Sequence, residues 1–390
     1  MNTLLVEPDY YSKYPPLGLM KLASFHRSYG DDIEYVRGIS EVKVQPSVIN
    51  ITSLFTYSWK PVHQAIEYYH LEFPNSEIRV GGIYATLLPM NIKKQYPFVK
   101  LQLGLHPKAE SYLPAYDILK QVDKWKDWDR SIVFTSRGCI RKCQFCVVPK
   151  VEGGMRDEKP SILDLMHPSH KKVTIWDNNF LASPYAKSML KELSDHGIEA
   201  DFNQGLDARL MDEETAGLLS DVKSKTIHMA YDWPWEGPYI QKAINLLGDV
   251  GYKKKNLIFY MLYNFWDEEH KKGDTPEDFL LRLKNLMKWG ASVYPMRFIP
   301  LNSLTRTGYV SPLWTAQQLE MIADARRVLG FAGTWVPYRA LADKFLYSET
   351  FEQAMGLRPK SGNNVSIPKS ARTKKKKTTI LEIVNNYAVR

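Results

Sequence analysis

Short apolar runs alternate with amphipathic stretches over the first third of the chain. Three of the runs have the length of buried strands, at residues 2–6, 48–52 and 78–80. Two stretches repeat their apolar residues at helical spacing, at residues 17–29 and 62–73. Strands that alternate with helices through short connections favour a parallel sheet with helices on both faces. The pattern therefore predicts an α/β fold that begins with a Rossmann-like domain at residues 1–122.

After a polar stretch at residues 120–130, the same alternation resumes and repeats six times. Strands are predicted at residues 132–135, 173–176, 200–203, 226–230, 256–262 and 293–299. Helices are predicted at residues 186–195, 213–219, 240–250, 277–289 and 316–329. Six successive βα units predict a partial (β/α)6 barrel of the TIM type, whose functional groups lie at the C-terminal ends of the strands. We assign this barrel to residues 123–345.

Residues 346–390 form a predicted C-terminal extension with a basic tail. Six of the nine net positive charges of the chain lie within nine residues, at Lys369, Arg372 and positions 374–377, so the rest of the chain is nearly balanced. A tail of this kind is typical of segments that contact RNA, DNA or an acidic partner, and equally of segments that only aid solubility. Both interpretations stay open.

Neither a membrane span nor a secretion signal is indicated. The chain has no run of 18 apolar residues, and its first residues lack a basic region and a cleavage site. We therefore expect a cytoplasmic protein. Only three cysteines occur, which argues against a disulfide framework.

The three cysteines lie within eight residues, on the loop that follows the first predicted barrel strand. Cys139, Cys143 and Cys146 have the spacing C-x3-C-x2-C. Thiolates are the usual ligands of iron–sulfur clusters, and three of them would leave one iron of a [4Fe–4S] cluster open for another molecule. A structural zinc site would need a fourth ligand, and a redox pair at Cys143 and Cys146 would lack its usual surroundings.

This loop resembles the cysteine motif of the radical SAM superfamily, in which an aromatic residue precedes the third cysteine, as Phe145 does here. The resemblance implies that S-adenosylmethionine chelates the open iron and is cleaved reductively to methionine and a 5′-deoxyadenosyl radical, which abstracts hydrogen from the substrate. It also implies that Phe145 lies near the adenine. Enzymes of this kind take their electron from a small protein such as flavodoxin or ferredoxin.

Polar residues at other predicted strand ends are further candidates for cofactor binding. Asp177 and Asn178 occupy the position where many relatives have Gly-Gly-Glu, and the alternative role for both is to cap a helix. Gln204, Asp207 and Arg209 follow the third strand, where they would reach the ribose or carboxylate or would only form a turn.

Later strands bring further residues to the predicted working face. Met296 lies on the last strand, where relatives form an apolar wall near the adenine, although core packing is the commoner role of such a residue. Tyr231, Asp232 and Asn264 also fall at strand ends and would face substrate.

The N-terminal domain resembles that of cobalamin-dependent radical SAM proteins at residues 14–19 and 80–86. The Asp-x-His-x-x-Gly loop that coordinates cobalt in typical relatives is missing, because residues 7–11 contain no histidine. Some relatives hold cobalamin without that histidine. Two alternatives stay open: a cobalamin-binding domain that lacks the cobalt-coordinating histidine, and a domain that only recognises substrate.

The number of cysteines limits which radical SAM reaction types fit this chain. All three cysteines are used by one cluster, which leaves none for a second cluster or for a methylated cysteine. The leading hypothesis is a radical SAM enzyme that abstracts hydrogen from an unidentified substrate. The alternatives are a cobalamin-assisted methyltransferase, an RNA-modifying enzyme that uses the basic tail, and a non-catalytic metal-binding protein.

Overall fold

The computed structural model describes residues 1–329 and 339–357. Two compact units divide the chain: Met1–Asn178 with Ile299–Tyr309 form the first, and Asn179–Phe298 with the described chain from Val310 onward form the second. The basic residues at positions 369–377 lie outside the described residues. The predicted boundaries at 122 and 345 remain predictions.

The first unit begins with a five-stranded parallel sheet of strand order β2-β1-β3-β4-β5. Its elements are β1 (Asn2–Glu7), α1 (Leu17–Arg27), β2 (Asp32–Arg37), β3 (Val48–Ser53), α2 (Trp59–Glu72), β4 (Glu77–Gly82), α3 (Ile83–Leu87), α4 (Pro89–Gln95) and β5 (Lys100–Gln102). The prediction of an α/β fold with a parallel sheet is confirmed. Strands β2 and β5 were not predicted, because both lie at sheet edges and carry charged residues among their apolar ones.

Two apolar cores stabilise this sheet, and the alternation of side chains along the strands assigns residues to each. Ile49, Val80 and Ile66 belong to one core, which involves α2. Leu5 and Met20 belong to the other, which involves α1. Each fully buried aliphatic side chain contributes roughly 1.5–3 kcal/mol, so both faces of the sheet are strongly tied to their helices.

The rest of the first unit contains a shorter parallel pair and the cysteine loop. Its elements are β6 (Ser131–Val133), α5 (Val148–Val151) and β7 (Lys172–Ile175). Ile132 lies opposite Thr174 in the register of β6 and β7. The cysteines fall between β6 and α5, on the loop where the sequence predicts them.

The second unit continues the alternation of helices and strands. Its elements are α6 (Ala186–Asp195), β8 (Glu199–Asp201), α7 (Glu213–Asp221), β9 (Ile227–Ala230), α8 (Gly237–Asp249), β10 (Leu257–Tyr263), β11 (Trp266–Asp267), β12 (Lys272–Gly273), α9 (Pro276–Trp289), β13 (Ser292–Arg297), α10 (Ala316–Leu329), α11 (Arg339–Tyr347) and α12 (Phe351–Met355). Strands β13, β10 and β9 form a parallel sheet in that order. Each predicted barrel strand therefore has a counterpart within a few residues, whereas closure into a partial barrel stays a prediction.

Local sequence signals set the ends of the best-defined helix of this unit, α9. Thr275 and Asp278 form a reciprocal capping box at its start, and Pro276 occupies the first turn, where its missing N–H costs nothing. Gly290 ends the helix with φ +78°, a backbone conformation that glycine adopts without strain. In the described part of the chain, no helix has both the length and the apolar character needed to cross a membrane.

Candidate functional site

The cysteine loop gathers its three thiols around one cavity of about 310 Å³. Cys139, Cys143 and Cys146 are all partly exposed, and none forms a disulfide. The backbone N–H of Arg141 donates to the Cys139 Sγ at 3.3 Å, and that of Val148 donates to the Cys146 Sγ at 3.4 Å. Hydrogen bonds to the cysteine sulfurs are one of the ways in which proteins tune a bound iron–sulfur cluster.

The electrostatic surroundings of this cavity are positive. Its described lining includes Arg141, Lys142 and Lys150 and contains no acidic residue. Nearby cations stabilise thiolates and a negatively charged cluster. The cysteine cavity thus combines soft anionic ligands with compensating charge.

The three thiols lie around a cavity, which is the arrangement that a cluster requires. Within the described residues, no three His, Cys, Asp or Glu side chains come together closely enough to hold a metal ion. In an iron–sulfur cluster each thiolate binds its own iron, so the ligands surround a volume and do not converge on a point. Three thiols around one cavity fit this requirement.

The segment at residues 152–156 returns beside the start of the loop and fixes its backbone. Arg137 and Arg156 exchange two backbone hydrogen bonds of 2.9 Å. The Cys139 N–H donates to the Gly153 carbonyl at 3.3 Å. Gly138 has φ +74°, and a Cβ there would lie 2.0 Å from the Gly154 carbonyl oxygen, so only glycine fits.

A row of part-buried ion pairs supports the same region, and no sequence motif predicts it. Arg137 lies between Glu152, at 3.4 Å, and Glu110, at 2.6 Å, and Glu110 also pairs with Lys21 at 3.0 Å. Burial lowers the pKa of Lys21. Burial opposes ionisation of Glu110, but Arg137 and Lys21 outweigh it, and the pKa of Glu110 is lowered.

Asp177 and Asn178, predicted to bind the cofactor, follow β7 and lie in the first unit. The Asp177 carboxylate is 1% exposed and accepts hydrogen bonds from the Thr135 N–H at 2.6 Å and the Ser136 hydroxyl at 2.8 Å. Burial raises the pKa of Asp177 despite these bonds. Asn178 donates to Glu152 at 3.0 Å. Both side chains therefore brace the start of the cysteine loop.

Asp207 and Arg209 of the second unit pair with each other. The Arg209 Nε donates to Asp207 at 2.7 Å and its Nη2 donates at 3.1 Å. Asn179, a residue that the sequence did not single out, donates to Asp207 at 3.1 Å, and its own side-chain oxygen is buried without a hydrogen bond. Glu236 lies 3.5 Å from Arg209. Arg209 thus lies between two carboxylates, those of Asp207 and Glu236.

The other predicted site residues differ in exposure. Gln204 is exposed, Met296 is 43% exposed and Phe145 is partly buried. Met296 is therefore not a core residue. Tyr231 is fully buried and accepts a hydrogen bond from Asn285 at 3.1 Å, so packing accounts for it.

A second cavity, of about 430 Å³, lies on one face of β3, β4 and β5. Ile78 and Val80 point into the core, so the alternating residues Arg79 and Gly81 point into the cavity. The strand order of this sheet changes direction between β1 and β3, and sheets of this type bind ligands at the carboxyl ends of strands beside that point. The cavity reaches those strand ends.

Comparison with solved structures relates this fold to cobalamin-dependent radical SAM enzymes. The radical S-adenosylmethionine methyltransferase TsrM from Kitasatospora setae, solved with cobalamin and a [4Fe–4S] cluster bound, matches with a TM-score of 0.58 over 77% of this chain and 77% of that chain, at 14% identity. The cobalamin-dependent S-adenosylmethionine radical enzyme OxsB matches with a TM-score of 0.45 over 76% of this chain and 49% of that chain, at 14% identity. The second likeness is too weak to support an argument, and the first establishes the fold alone.

Sequence comparisons add nothing to this. No family model matches the chain. No curated protein matches it either.

Proposed function

We propose that this chain is a radical SAM enzyme that binds one [4Fe–4S] cluster through Cys139, Cys143 and Cys146. The observation that carries the proposal is the cavity that these three thiols share with cations and with no described carboxylate. Cys139, Cys143 and Cys146 would hold the cluster, which when bound and reduced would supply the one-electron chemistry needed to cleave S-adenosylmethionine reductively and to start hydrogen abstraction from the substrate. The fold shared with TsrM supports this proposal.

The protein's own groups have defined tasks in this scheme. The N–H groups of Arg141 and Val148 donate hydrogen bonds to two of the three sulfurs. The three cysteines would hold the cluster, and S-adenosylmethionine would bind it at the position that no cysteine occupies. Phe145, in the same unit as the cysteines, has a partly exposed side chain for contacts with that molecule, and Gln204 and Met296 are the exposed candidates of the second unit.

The predicted site residues that already form hydrogen bonds or ion pairs within the protein have a different task from the accessible ones. Asp177 and Asn178 act on bound S-adenosylmethionine mainly by holding the loop that presents the cluster, through Ser136 and Glu152. Asp207 and Arg209 form an ion pair with each other. Arg209 could bind the carboxylate of S-adenosylmethionine only if it first broke its pair with Asp207. Asp207 keeps its other partner, Asn179, when that happens.

Anaerobic reconstitution tests the proposal. The protein should take up about four irons and four sulfides, as a cubane requires, and with dithionite and S-adenosylmethionine it should release 5′-deoxyadenosine. Cys143→Ser should lose the cluster and the product together. A fully loaded protein that forms no 5′-deoxyadenosine would contradict the proposal, and one equivalent of zinc without iron would favour a non-catalytic metal protein.

We also propose that an acidic electron-transfer protein, a flavodoxin or ferredoxin, docks at the cysteine cavity. Lys142 and Lys150 are exposed at its rim and complement a negative partner. Reversing both charges should slow reduction by flavodoxin, more so at low salt, and should leave reduction by dithionite unchanged. Lys288→Glu, an exposed change on α9, is the matched control. Equal rates for all variants would exclude this docking surface.

A cobalamin-assisted methyltransferase is the second candidate. The observation in its favour is the cavity of about 430 Å³ beside β3, β4 and β5, in a sheet of the order that binds ligands at its strand ends. The solved structure of TsrM, which shares this fold, contains cobalamin. The cavity presents backbone at Gly81 and polar side chains at Asn50 and Gln102, which suit a large ligand with many amide groups.

Filling the cavity tests that candidate. A Cβ at Gly81 would contact Gln102 at an ordinary 3.4 Å, so Gly81→Leu should fold and should reduce the cavity. Binding of hydroxocobalamin, followed by its visible spectrum, should be lost in this variant and retained in Gly217→Leu, where a Cβ meets nothing within 4 Å. Unaltered wild-type protein that binds no cobalamin would remove the candidate.

The basic tail supports a third candidate, an enzyme that acts on RNA. Deleting residues 369–390 removes six clustered positive charges. RNA binding should then weaken, and its dependence on salt should flatten, since each phosphate contact adds to the slope. Identical binding of both forms across salt would exclude a role for the tail.

A further inference from the structure

We propose that Glu152 is a positioning residue for Cys139. Its carboxylate holds the backbone of Gly138 so that the neighbouring thiol faces the shared cavity. This inference rests on the proposed cluster site and adds to it a group from outside the cysteine motif, on the segment that returns after α5. It identifies a determinant of cluster geometry that the C-x3-C-x2-C pattern does not contain.

The hydrogen bonds of Glu152 converge on the start of the loop. Its Oε2 accepts from the Gly138 N–H at 2.9 Å and from the Asn178 side-chain amide at 3.0 Å. Its Oε1 lies 3.4 Å from the Arg137 guanidinium. The side chain is only 13% exposed, so little water competes for these bonds. One carboxylate thus engages residues before and after the loop.

The backbone at Gly138 is held from two sides. The Gly154 carbonyl occupies the place where a Cβ would be, and the Gly153 carbonyl accepts the Cys139 N–H at 3.3 Å. The Gly138 N–H donates to the Glu152 carboxylate. Because the dihedral angles of residue 138 set the direction of the next side chain, this clamp directs the Cys139 thiol.

The ion pairs explain how a carboxylate is tolerated beside a negative cluster. Glu152 and Glu110 both pair with Arg137, and Glu110 pairs with Lys21 as well. Two cations therefore balance two carboxylates along the row. Glu152 provides a strong hydrogen-bond acceptor without adding net negative charge at the site.

The first test uses the protein before any cluster is inserted. Alkylation of each cysteine by iodoacetamide is followed by mass spectrometry, and Cys146 serves as the internal reference because its own N–H donor, from Val148, is independent of Glu152. In Glu152→Ala, the rate at Cys139 relative to Cys146 should change about tenfold, which corresponds to about 1.4 kcal/mol. Glu152→Gln keeps an oxygen for Gly138 but loses Arg137, so it should give an intermediate change.

Asp157→Asn is the matched control, because it removes a carboxylate that directly follows the segment at residues 152–156 and pairs with the exposed Arg156. It should leave the alkylation ratio unchanged. If Glu152→Ala also leaves the ratio unchanged, or if all three cysteines react faster together, Glu152 has no positioning role. Should Glu152→Ala fail to fold by circular dichroism, the ratio in Glu152→Gln decides, and an unaltered ratio there refutes the inference.

The second test uses the reconstituted protein. The electron paramagnetic resonance spectrum of the reduced cluster should change in Glu152→Ala, return partly in Glu152→Gln and stay as wild type in Asp157→Asn. Failure of the wild-type protein to form any cluster would refute the proposed function, whereas the alkylation ratio would still test Glu152. An unchanged spectrum in Glu152→Ala would refute the inference and leave the proposed function standing.

Discussion

Asp177 and Asp232 occupy equivalent positions at the ends of two strands, β7 and β9, yet their surroundings differ. Asp177 accepts hydrogen bonds from a backbone N–H and two hydroxyl groups, of Thr135 and Ser136. Asp232 accepts from the Leu262 N–H at 3.1 Å, and Glu236 is a second negative charge nearby. The same sequence signal, an aspartate after a strand, therefore has two outcomes. In the first unit the carboxylate is well hydrogen-bonded and holds the loop, and in the second it is buried beside another carboxylate, which disfavours its charge.

The two strand ends also differ in what anchors them. At β7 the donors are neutral hydroxyls and backbone. At β9 and β10 the anchor is Arg282, which is 0% exposed and donates to the carbonyls of Tyr231 and Leu262 at 3.0 Å each, while lying 3.4 Å from Asp274. A buried cation binds several groups at once, so its loss leaves several groups unpaired. Four substitutions test these two ways of holding a strand end.

The largest effect is expected for Arg282→Met. The change leaves Asp274 as an uncompensated buried carboxylate and leaves two carbonyls without donors, which should lower the free energy of unfolding by about 3–5 kcal/mol. Chemical denaturation monitored by circular dichroism measures this. Lys288→Met, on the exposed face of the same helix, should change stability little. A loss of similar size in both variants would show that Arg282 is not the anchor.

A smaller loss is expected for Asp177→Asn. The asparagine amide keeps one acceptor oxygen, but its NH2 group faces donors that the carboxylate of Asp177 accepted hydrogen bonds from. The free energy of unfolding should fall by about 2 kcal/mol. The same denaturation experiment applies, with the exposed Asp164→Asn as control. Wild-type stability of Asp177→Asn would mean that the hydrogen bonds to Thr135 and Ser136 contribute nothing.

The third prediction concerns pH. Burial, with Glu236 adding to it, raises the pKa of Asp232 to about 7 from 3.8. Between pH 3.8 and about pH 7, the Asp232 carboxyl therefore keeps a proton in the folded protein that it has lost in the unfolded chain. The free energy of unfolding falls as the pH rises through this range. Asp232→Asn should be more stable than wild type by about 1.4 kcal/mol or more at pH 8 and should equal it near pH 4. Parallel stability curves for the two proteins from pH 4 to 8 would disprove the assignment.

The smallest effect is expected for Ser136→Ala, which removes one of the donors to Asp177. Thr135 remains bound, so the loss should be about 1 kcal/mol. Combining Ser136→Ala with Asp177→Asn should give less than the sum of the two losses, because both remove the same hydrogen bond. Additive losses would show that the two residues act independently.

The fold was largely predictable because strands and helices depend on local periodicity. The helix at 316–329 and the strands around 257–263 and 292–297 follow directly from the spacing of their apolar residues. Strand β2 was missed because its charged residues Asp32, Glu34 and Arg37 interrupt the pattern at an edge of the sheet. Helices α11 and α12 were also missed, and α12 has only five residues.

The candidate site was predictable only where chemistry is concentrated in a motif. Three cysteines within one loop indicate a metal cluster without any structure. Glu152 and Glu110 gave no such signal, because each resembles a surface carboxylate and its partner Arg137 lies 15 and 27 residues away. Arg282 did carry a signal that could have been used, since it is a charge within the apolar stripe of α9.

Residues Ile299–Tyr309 belong to the first unit although the chain on both sides of them belongs to the second. Within the first unit, the Thr56 hydroxyl donates to the Ser303 carbonyl at 2.6 Å, close to the end of β3. A fragment that stops at residue 178 would therefore lose part of its own unit. Dissecting this protein at a single cleavage point would yield an incomplete N-terminal piece, and a covalent link or a supplied peptide would be needed to restore it.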